Sequence, residues 1–193
     1  SYMWVYRSGH LYADRQIVLY DYHKTRNSSH PREFLRDYSG ICVTDGYQVY
    51  HTLEREHEDL QIAGCWVHAR RKFDDALTVI PKAHQNKSDA FRVMKQIQAI
   101  YREEGKLNKL SSEERLMQRQ LVIKPLVDAL FAYLKKMEPT VPASGQLRKA
   151  YTYILNQEKY LRVFLEDGEV PIDNNASERA IRGFCIGKNY VSN

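Results

Sequence analysis

Two acidic positions in this sequence have the chemistry to hold a metal ion. Asp45 lies at the carboxyl end of the short run 40–44, and Glu178 lies near the end of the sequence, shortly after an Asp-Asn-Asn triplet. In open α/β sheets, ligands bind outside the carboxyl ends of the strands, where Asp45 is expected. Hard cations such as Mg²⁺ prefer oxygen donors. The sequence therefore offers Asp45 and Glu178 as candidate metal ligands, with Asp173, Asn174 and Asn175 as further oxygen donors of uncertain role beside Glu178.

Each acid also has a purely structural explanation. Asp is a preferred turn residue, and Asp45 beside Gly46 could serve only to bind local backbone amides. Asn175 and Glu178 have the spacing of a helix capping box, and Arg182 is four residues further on, as in a helical ion pair. Sequence alone leaves both explanations open.

A third set of polar residues lies between these acids. Cys65 and His68 have the spacing of half a zinc site, but no second pair of ligands completes it. A buried cysteine and a hydrogen-bonded histidine are the favoured alternative. The basic run 70–72 after them is typical of a solvated helix face or of contacts with phosphates. The candidate phosphate ligands are Arg70, Arg71, Lys72, Arg179 and Arg182.

The elements that must position these residues alternate in the first half of the chain. Aromatic and β-branched runs predict strands, and the segments between and after them predict short helices. The predicted strands are 2–7, 16–22, 40–46 and 60–66, the first two forming an antiparallel hairpin and 40–46 a central strand buried on both faces. The predicted helices are one through 32–38, with its cap and first turn at 27–31, and one at 67–77.

The second half is predicted to be almost entirely helical. From 88 to 165 apolar residues recur with helical spacing, and Ser111 with Glu114 forms a predicted capping box. The two expected apolar stripes are Phe91, Met94, Ile97 and Tyr101, and Leu121, Leu126, Leu130 and Leu134. We expect an insertion into the sheet domain rather than an independent domain. A last helix is predicted to start within 173–182.

Composition restricts the class of protein. The 193 residues carry 29 Lys and Arg against 24 Asp and Glu, a net charge of +5, which favours an anionic partner such as nucleic acid. No apolar run approaches the roughly 20 residues of a membrane span. Three cysteines, Cys42, Cys65 and Cys185, without a secretory leader favour a reducing cytoplasm over a disulfide scaffold.

Taken together, three segments resemble one family of enzymes. They are TDGY at 44–47, AGCWVHARRKF at 63–73 and DNNASERAIR at 173–182. In this order and spacing they look like the catalytic region of transposases of the insertion-sequence 66 family. The resemblance implies an α/β, ribonuclease H-like mixed sheet flanked by helices. It divides the chain into a sheet part at 1–85, a helical insertion at 86–168 and a returning catalytic helix region at 169–193.

The resemblance also implies an activity. These transposases are DDE enzymes, in which two aspartates and a glutamate bind two Mg²⁺ or Mn²⁺ ions and DNA strands are cleaved and joined at the ends of the element. Asp45 matches the second aspartate and Glu178 the glutamate, while Cys65 and His68 match a Cys-x-x-His signature of uncertain role. The implied partners are terminal inverted repeats and target DNA, with a homo-oligomer by analogy.

One departure from the family pattern affects the expected activity. In the family the first aspartate lies on the strand before the one beginning at Tyr2, and neither Asp14 nor Asp21 is expected to replace it. The sequence is therefore expected to be a catalytic-core fragment that is largely inactive alone. Two competing hypotheses are a non-catalytic DNA-binding module or transposase remnant, and a ribonuclease H-type nuclease acting on RNA–DNA hybrids.

Overall fold

The first two strands form an antiparallel hairpin, as predicted. The computed structural model describes residues 2–9 and 16–181. Strand β1 is Tyr2–Arg7 and strand β2 is Val18–His23, in a register that places Tyr2 opposite His23 and Arg7 opposite Val18. Aromatic and β-branched side chains, which favour the extended backbone, dominate both strands.

A second, parallel sheet follows. Helix α1, Ser29–Phe34, precedes strand β3, Gly40–Thr44, and helix α2, Gln48–Glu56, connects β3 to strand β4, Leu60–Gly64. Parallel strands need such a crossover connection. Helix α1 begins within the predicted cap and first-turn segment 27–31 and ends four residues before the predicted end at Tyr38, while α2 was not predicted.

Strand β3 differs from the predicted central strand. Four of its five residues are only half-buried, and within the described residues β3 pairs with β4 alone. The prediction of a central strand buried on both faces was wrong for the described residues, because β3 has one hydrogen-bonded neighbour there and lines an open groove. The described residues thus form an α/β fold with two separate two-stranded sheets.

The chain after β4 is helical, as predicted. A π-helical turn at Arg119–Ile123 joins α6 to α7, and the predicted capping box of Ser111 and Glu114 starts α6. The helices are α3, Trp66–Thr78; α4, Lys82–Gln85; α5, Asp89–Gly105; α6, Ser112–Gln118; α7, Lys124–Met137; α8, Gln146–Asn156; and α9, Glu158–Arg162. The final described helix, α10, covers 175–181. No helix in the described ranges is long and apolar enough to cross a membrane.

One hydrophobic core joins the end of the parallel sheet to the helical segment. Trp66, at the start of α3, is 0% exposed and makes edge-on contacts with Phe131 of α7 and Phe164. Its indole nitrogen donates to the carbonyl of Leu161 at 2.8 Å. The predicted boundaries at 85/86 and 168/169 stay a prediction, but α3 and the helices after it share buried side chains.

The second predicted apolar stripe is only partly correct. Leu130 and Leu134 are fully buried, whereas Leu121 is 70% exposed. Five positions separate Leu121 from Leu126, which rotates the side chain by about 140° in an α-helix and takes it off the buried face. Arg119 and Ile123 occupy that face instead.

Two leucine truncations should therefore differ in their effect on stability. We expect Leu130→Ala to lower the free energy of unfolding by about 2–5 kcal/mol because it leaves a cavity in the core. We expect Leu121→Ala to change it by less than about 0.5 kcal/mol. Urea unfolding followed by circular dichroism measures both, and similar losses for the two variants would contradict this helix orientation.

Candidate active site

The parallel sheet brings two sequence motifs to one edge. Thr44 of β3 is paired with Gly64 of β4, so Asp45 and Cys65 both directly follow the carboxyl ends of neighbouring strands. Helix α3 starts next to this edge and carries His68 in its first turn. The local fold thus positions Asp45, Cys65 and His68 together, as expected for parallel strands that end at one side of a sheet.

Cys65 holds the distant Asp-Asn-Asn segment against this edge. Its thiol donates to Asn174 Oδ1 at 3.0 Å, and the amide of Asn174 lies 3.4 Å from the same sulfur. The amide of Trp66 donates to the carbonyl of Ile172 at 3.1 Å. Burial raises the pKa of the Cys65 thiol to about 11, so it is a neutral hydrogen-bonding group at neutral pH.

Helix α10 then turns Glu178 towards α3. The carbonyl of Asn174 accepts from the amide of Glu178 at 3.1 Å, which makes Asn174, rather than the predicted Asn175, the capping position. Glu178 Oε1 lies 3.2 Å from His68 Nε2, and Glu178 Oε2 lies 3.6 Å from Arg71 Nη2. Two residues 110 positions apart in the chain, His68 and Glu178, are therefore in contact.

His68 lies within the electrostatic influence of both candidate acids. Burial lowers the pKa of His68, while the charges of Asp45 and Glu178 act in the opposite direction. Its Nε2 atom is buried and has no hydrogen-bond partner within the described ranges, since the contact with Glu178 lacks hydrogen-bond alignment. The lowered pKa favours a neutral imidazole, which leaves the negative charge of the neighbouring Glu178 uncancelled.

Both aspartates of the site are also fixed by local bonds. Asp45 Oδ1 accepts from the amide of Tyr47 at 3.0 Å. Asp173 Oδ1 accepts from the amide of Asn175 at 3.0 Å, and Asp173 Oδ2 accepts from the side chain of Asn175 at 2.9 Å. The turn role considered for Asp45 is therefore present, and one Asp45 oxygen makes this local bond.

These residues open on a groove of about 1030 Å³ between the two sheets. Its walls include β1, β3, Asp45, His68 and Glu178. Besides His68, three lining residues have buried polar atoms without a hydrogen-bond partner among the described residues. They are Trp4 Nε1, Tyr6 Oη and Thr44 Oγ1. Unpaired buried polar atoms are costly, which favours a groove that receives polar groups from an occupant.

The basic residues predicted for phosphate contacts differ in position. Arg70, Arg71 and Lys72 are exposed on α3, and the exposed Arg179 lines the groove beside Glu178. Arg182 lies outside the described residues, as do Asp14 and Cys185. Asp21, on β2, lies 2.7 Å from His23 of the same strand.

Two residues at the site were not predicted from the sequence. The hydroxyl of Tyr153 on α8 donates to the Asp45 carbonyl, and that of Tyr101 on α5 donates to Asp173 Oδ2, both at 3.2 Å. Tyr101 had been assigned only to an apolar stripe. Its helical spacing gave no signal of a polar contact. Among the described residues, no group of three His, Cys, Asp or Glu side chains could hold a metal ion.

Comparison with known proteins identifies the class to which this chain belongs. The sequence model of the transposase IS66 family matches residues 1–192. The chain is 31% identical over 173 residues to the uncharacterized protein y4hP of Sinorhizobium fredii, covering 84% of this chain and 31% of the relative. No solved structure matches the chain significantly.

Two further relatives from Sinorhizobium fredii agree with this assignment. The uncharacterized protein y4qI is 30% identical over 191 residues, covering 94% of the chain and 34% of the relative. The uncharacterized protein y4jD is 28% identical over 174 residues, covering 88% and 33%. The chain thus spans about a third of the length of the curated relatives it matches. It belongs to the transposase IS66 family.

Proposed function

We propose that this chain is part of the catalytic core of a DNA transposase that cleaves and joins DNA strands at the ends of an insertion sequence. The observation that carries the proposal is the shared environment of Asp45 and Glu178. The two acids line one groove, and both act electrostatically on His68. In a family of transposases, such a pair is best explained as part of the site of phosphoryl transfer.

The donor set fits a hard divalent cation. Asp45 and Glu178 supply carboxylate oxygens, which Mg²⁺ and Mn²⁺ prefer. When bound in a pair, such ions activate the attacking oxygen and stabilise the leaving oxygen of an in-line displacement. The protein residues have separate tasks: Tyr47 orients the Asp45 carboxylate through its amide, and His68 and Arg71 contact the Glu178 carboxylate.

The free strand edges at the groove support the proposal of a ribonuclease H-like sheet that another strand completes. Within the described ranges β1 pairs only with β2 and β3 only with β4, so each has a free edge, and both strands line the groove. A strand between them would supply backbone donors and acceptors to these edges. We propose that such a strand carries the first acidic ligand. Asp45 and Glu178 would then form an incomplete metal site in its absence.

DNA is the proposed partner, both as terminal inverted repeats and as target. Arg71 lies 3.6 Å from Glu178, Arg179 follows Glu178 in the chain and lines the groove, and Arg70 and Lys72 extend the positive charge along α3. Arginine pairs readily with phosphate oxygens, so these side chains can bind the DNA backbone without reading its sequence. We further propose a cytoplasmic location and assembly of several copies on paired DNA ends.

Metal-dependent nicking of DNA that carries the terminal repeats tests this proposal. The longest natural chain containing these residues should nick the DNA in Mg²⁺ or Mn²⁺ and lose this activity with EDTA. The 193-residue chain should bind Mn²⁺ weakly and nick at least about a hundredfold more slowly, because it lacks one ligand. Equal turnover by both chains would contradict the missing-ligand proposal, and metal-independent nicking by the longer chain would contradict the metal mechanism.

A non-catalytic DNA-binding role is the second candidate. It is favoured by the local bonds of Asp45 and Asp173, which are those of ordinary turn and helix-start residues. In that case the acids would only stabilise the fold, and the basic residues would bind DNA. Replacement of Glu178 by glutamine separates the two candidates, because only the catalytic role predicts a loss of activity.

A further inference from the structure

The helical segment reaches the candidate active site through two tyrosines. Tyr153 on α8 donates its hydroxyl to the backbone carbonyl of Asp45, and Tyr101 on α5 donates to a carboxylate oxygen of Asp173. Tyr153 therefore contacts the turn that contains Asp45, and Tyr101 contacts the turn that precedes the helix of Glu178. The hydroxyls lie on different helices and hold different turns.

Close packing reinforces the contact between α8 and the Asp45 turn. Gly46 has a positive φ of 79°, and a Cβ atom there would lie 2.8 Å from Tyr153 Oη and 3.2 Å from Gln157 Oε1. The turn therefore contacts α8 directly. A side chain at this position would push Asp45 away from α8 and is also disfavoured by the left-handed backbone.

Both hydroxyls remain donors over the physiological pH range. Burial raises the pKa of Tyr153 and that of Tyr101, and nearby negative groups raise both further. A protonated phenol can donate to a carbonyl or carboxylate without adding charge to the site. Tyr153 also packs beneath Lys72, whose Nζ lies 5.7 Å from the ring centroid.

The two tyrosines are linked through a common support. Both α5 and α8 pack against α3. Helix α3 is in turn tied to the segment before α10, because the amide of Trp66 donates to the carbonyl of Ile172. The Asp45 turn and the start of α10 are thus held against the same group of helices from two directions.

We propose that Tyr153 and Tyr101 are positioning residues that set the separation between Asp45 and Glu178. The inference rests on the proposed function, because that separation matters only if the two acids share a metal site. The helical segment then fixes the positions of the two turns of the site, in addition to enlarging the core. Tyr153 fixes the Asp45 turn, and Tyr101 fixes the Asp173 turn from which α10 begins.

Tyrosine-to-phenylalanine variants test this role with a matched control. Tyr133→Phe removes the same atom from the same helical segment, but its hydroxyl bonds to Asp89, which keeps Tyr151 as a second partner. In Tyr153→Phe we expect hydrogen exchange of the Gly46 and Tyr47 amides, measured by NMR, to become about fivefold faster. This factor corresponds to the net free energy of one hydrogen bond. We expect Tyr133→Phe to leave these amides unchanged.

The affinity of these variants for Mn²⁺, measured by electron paramagnetic resonance, provides the second readout. We expect it to fall about tenfold in Tyr153→Phe and in Tyr101→Phe, as for loss of a partner that orients a ligand, and to stay unchanged in Tyr133→Phe. Unchanged Mn²⁺ affinity in both site variants, or an equal loss of affinity in all three variants, would contradict the positioning role of the two tyrosines. Asp45→Asn and Glu178→Gln are measured alongside. If neither weakens Mn²⁺ binding, the proposed metal site is contradicted. If both weaken it and neither Tyr153→Phe nor Tyr101→Phe does, only the positioning role of the tyrosines is contradicted.

Discussion

Replacing Glu178 with glutamine should abolish strand cleavage and joining while leaving the protein folded. Glutamine keeps the size of the side chain, but it removes the negative charge with which Glu178 is proposed to bind a divalent cation. Loss of a group that only orients a metal ligand lowers metal affinity or activity by about 10–100-fold. Loss of the ligand itself should therefore reduce activity by at least about a hundredfold. Metal-dependent nicking and joining by the longest natural chain containing these residues measures the effect.

The fold should tolerate this substitution. The ion pair of Glu178 with Arg71 spans 3.6 Å at a half-exposed arginine, and such pairs contribute roughly 0–1 kcal/mol. Glu58→Gln is the matched control, since Glu58 is exposed in the turn before β4. We expect both variants to unfold at nearly the wild-type urea concentration and only Glu178→Gln to lose activity. Full activity of Glu178→Gln would favour the non-catalytic DNA-binding role.

Truncation of Arg119 should cause the largest loss of stability. Its side chain is 1% exposed and pairs with the mostly buried carboxylate of Glu104. Its Nη1 atom also donates to the carbonyls of Phe164 and Asp167, both at 2.7 Å. In Arg119→Ala the Glu104 charge and both carbonyls lose their partner. Breaking one side of a buried pair costs about 3–5 kcal/mol, which urea unfolding should detect.

Two control variants distinguish a buried pair from a general effect of charge. Arg102→Ala removes an exposed arginine from the same helical segment. It should lower the free energy of unfolding by less than about 1 kcal/mol. The double variant Glu104→Leu with Arg119→Met should lose less stability than Arg119→Ala alone, because no uncompensated charge stays buried. A double variant as unstable as Arg119→Ala would show that the two carbonyls, rather than the charge pair, dominate the loss.

Arg119 also illustrates a limit of sequence interpretation. Its position next to an apolar run gave no reason to expect burial, because an arginine there is usually solvent-exposed. Its burial depends on the π-helical turn and on two carbonyls about 45 residues later in the chain. The exposed Leu121 shows the same limit, since a leucine alone does not reveal which side of a helix faces the core.

Local patterns were sufficient for most elements and for the motifs. The hairpin, the strands near 40–46 and 60–66, the capping box at Ser111 and the long helical segment follow from side-chain types and from spacings of two or about four residues. The motifs at 44–47, 63–73 and 173–182 were also recognisable in the sequence, and together they indicated the family. These features depend on neighbours in sequence, and local sterics and hydrogen bonding act at that range.

Only the tertiary structure decided what surrounds the acids. It brings Glu178 to His68, bonds Cys65 to Asn174 and sets Tyr153 against the Asp45 turn. It also leaves β3 half-buried beside a groove, where the sequence had predicted a central strand. These contacts join residues about 110 positions apart, and they depend on how helices and strands pack. The sequence by itself determined which groups could do chemistry, whereas packing determined which of them meet.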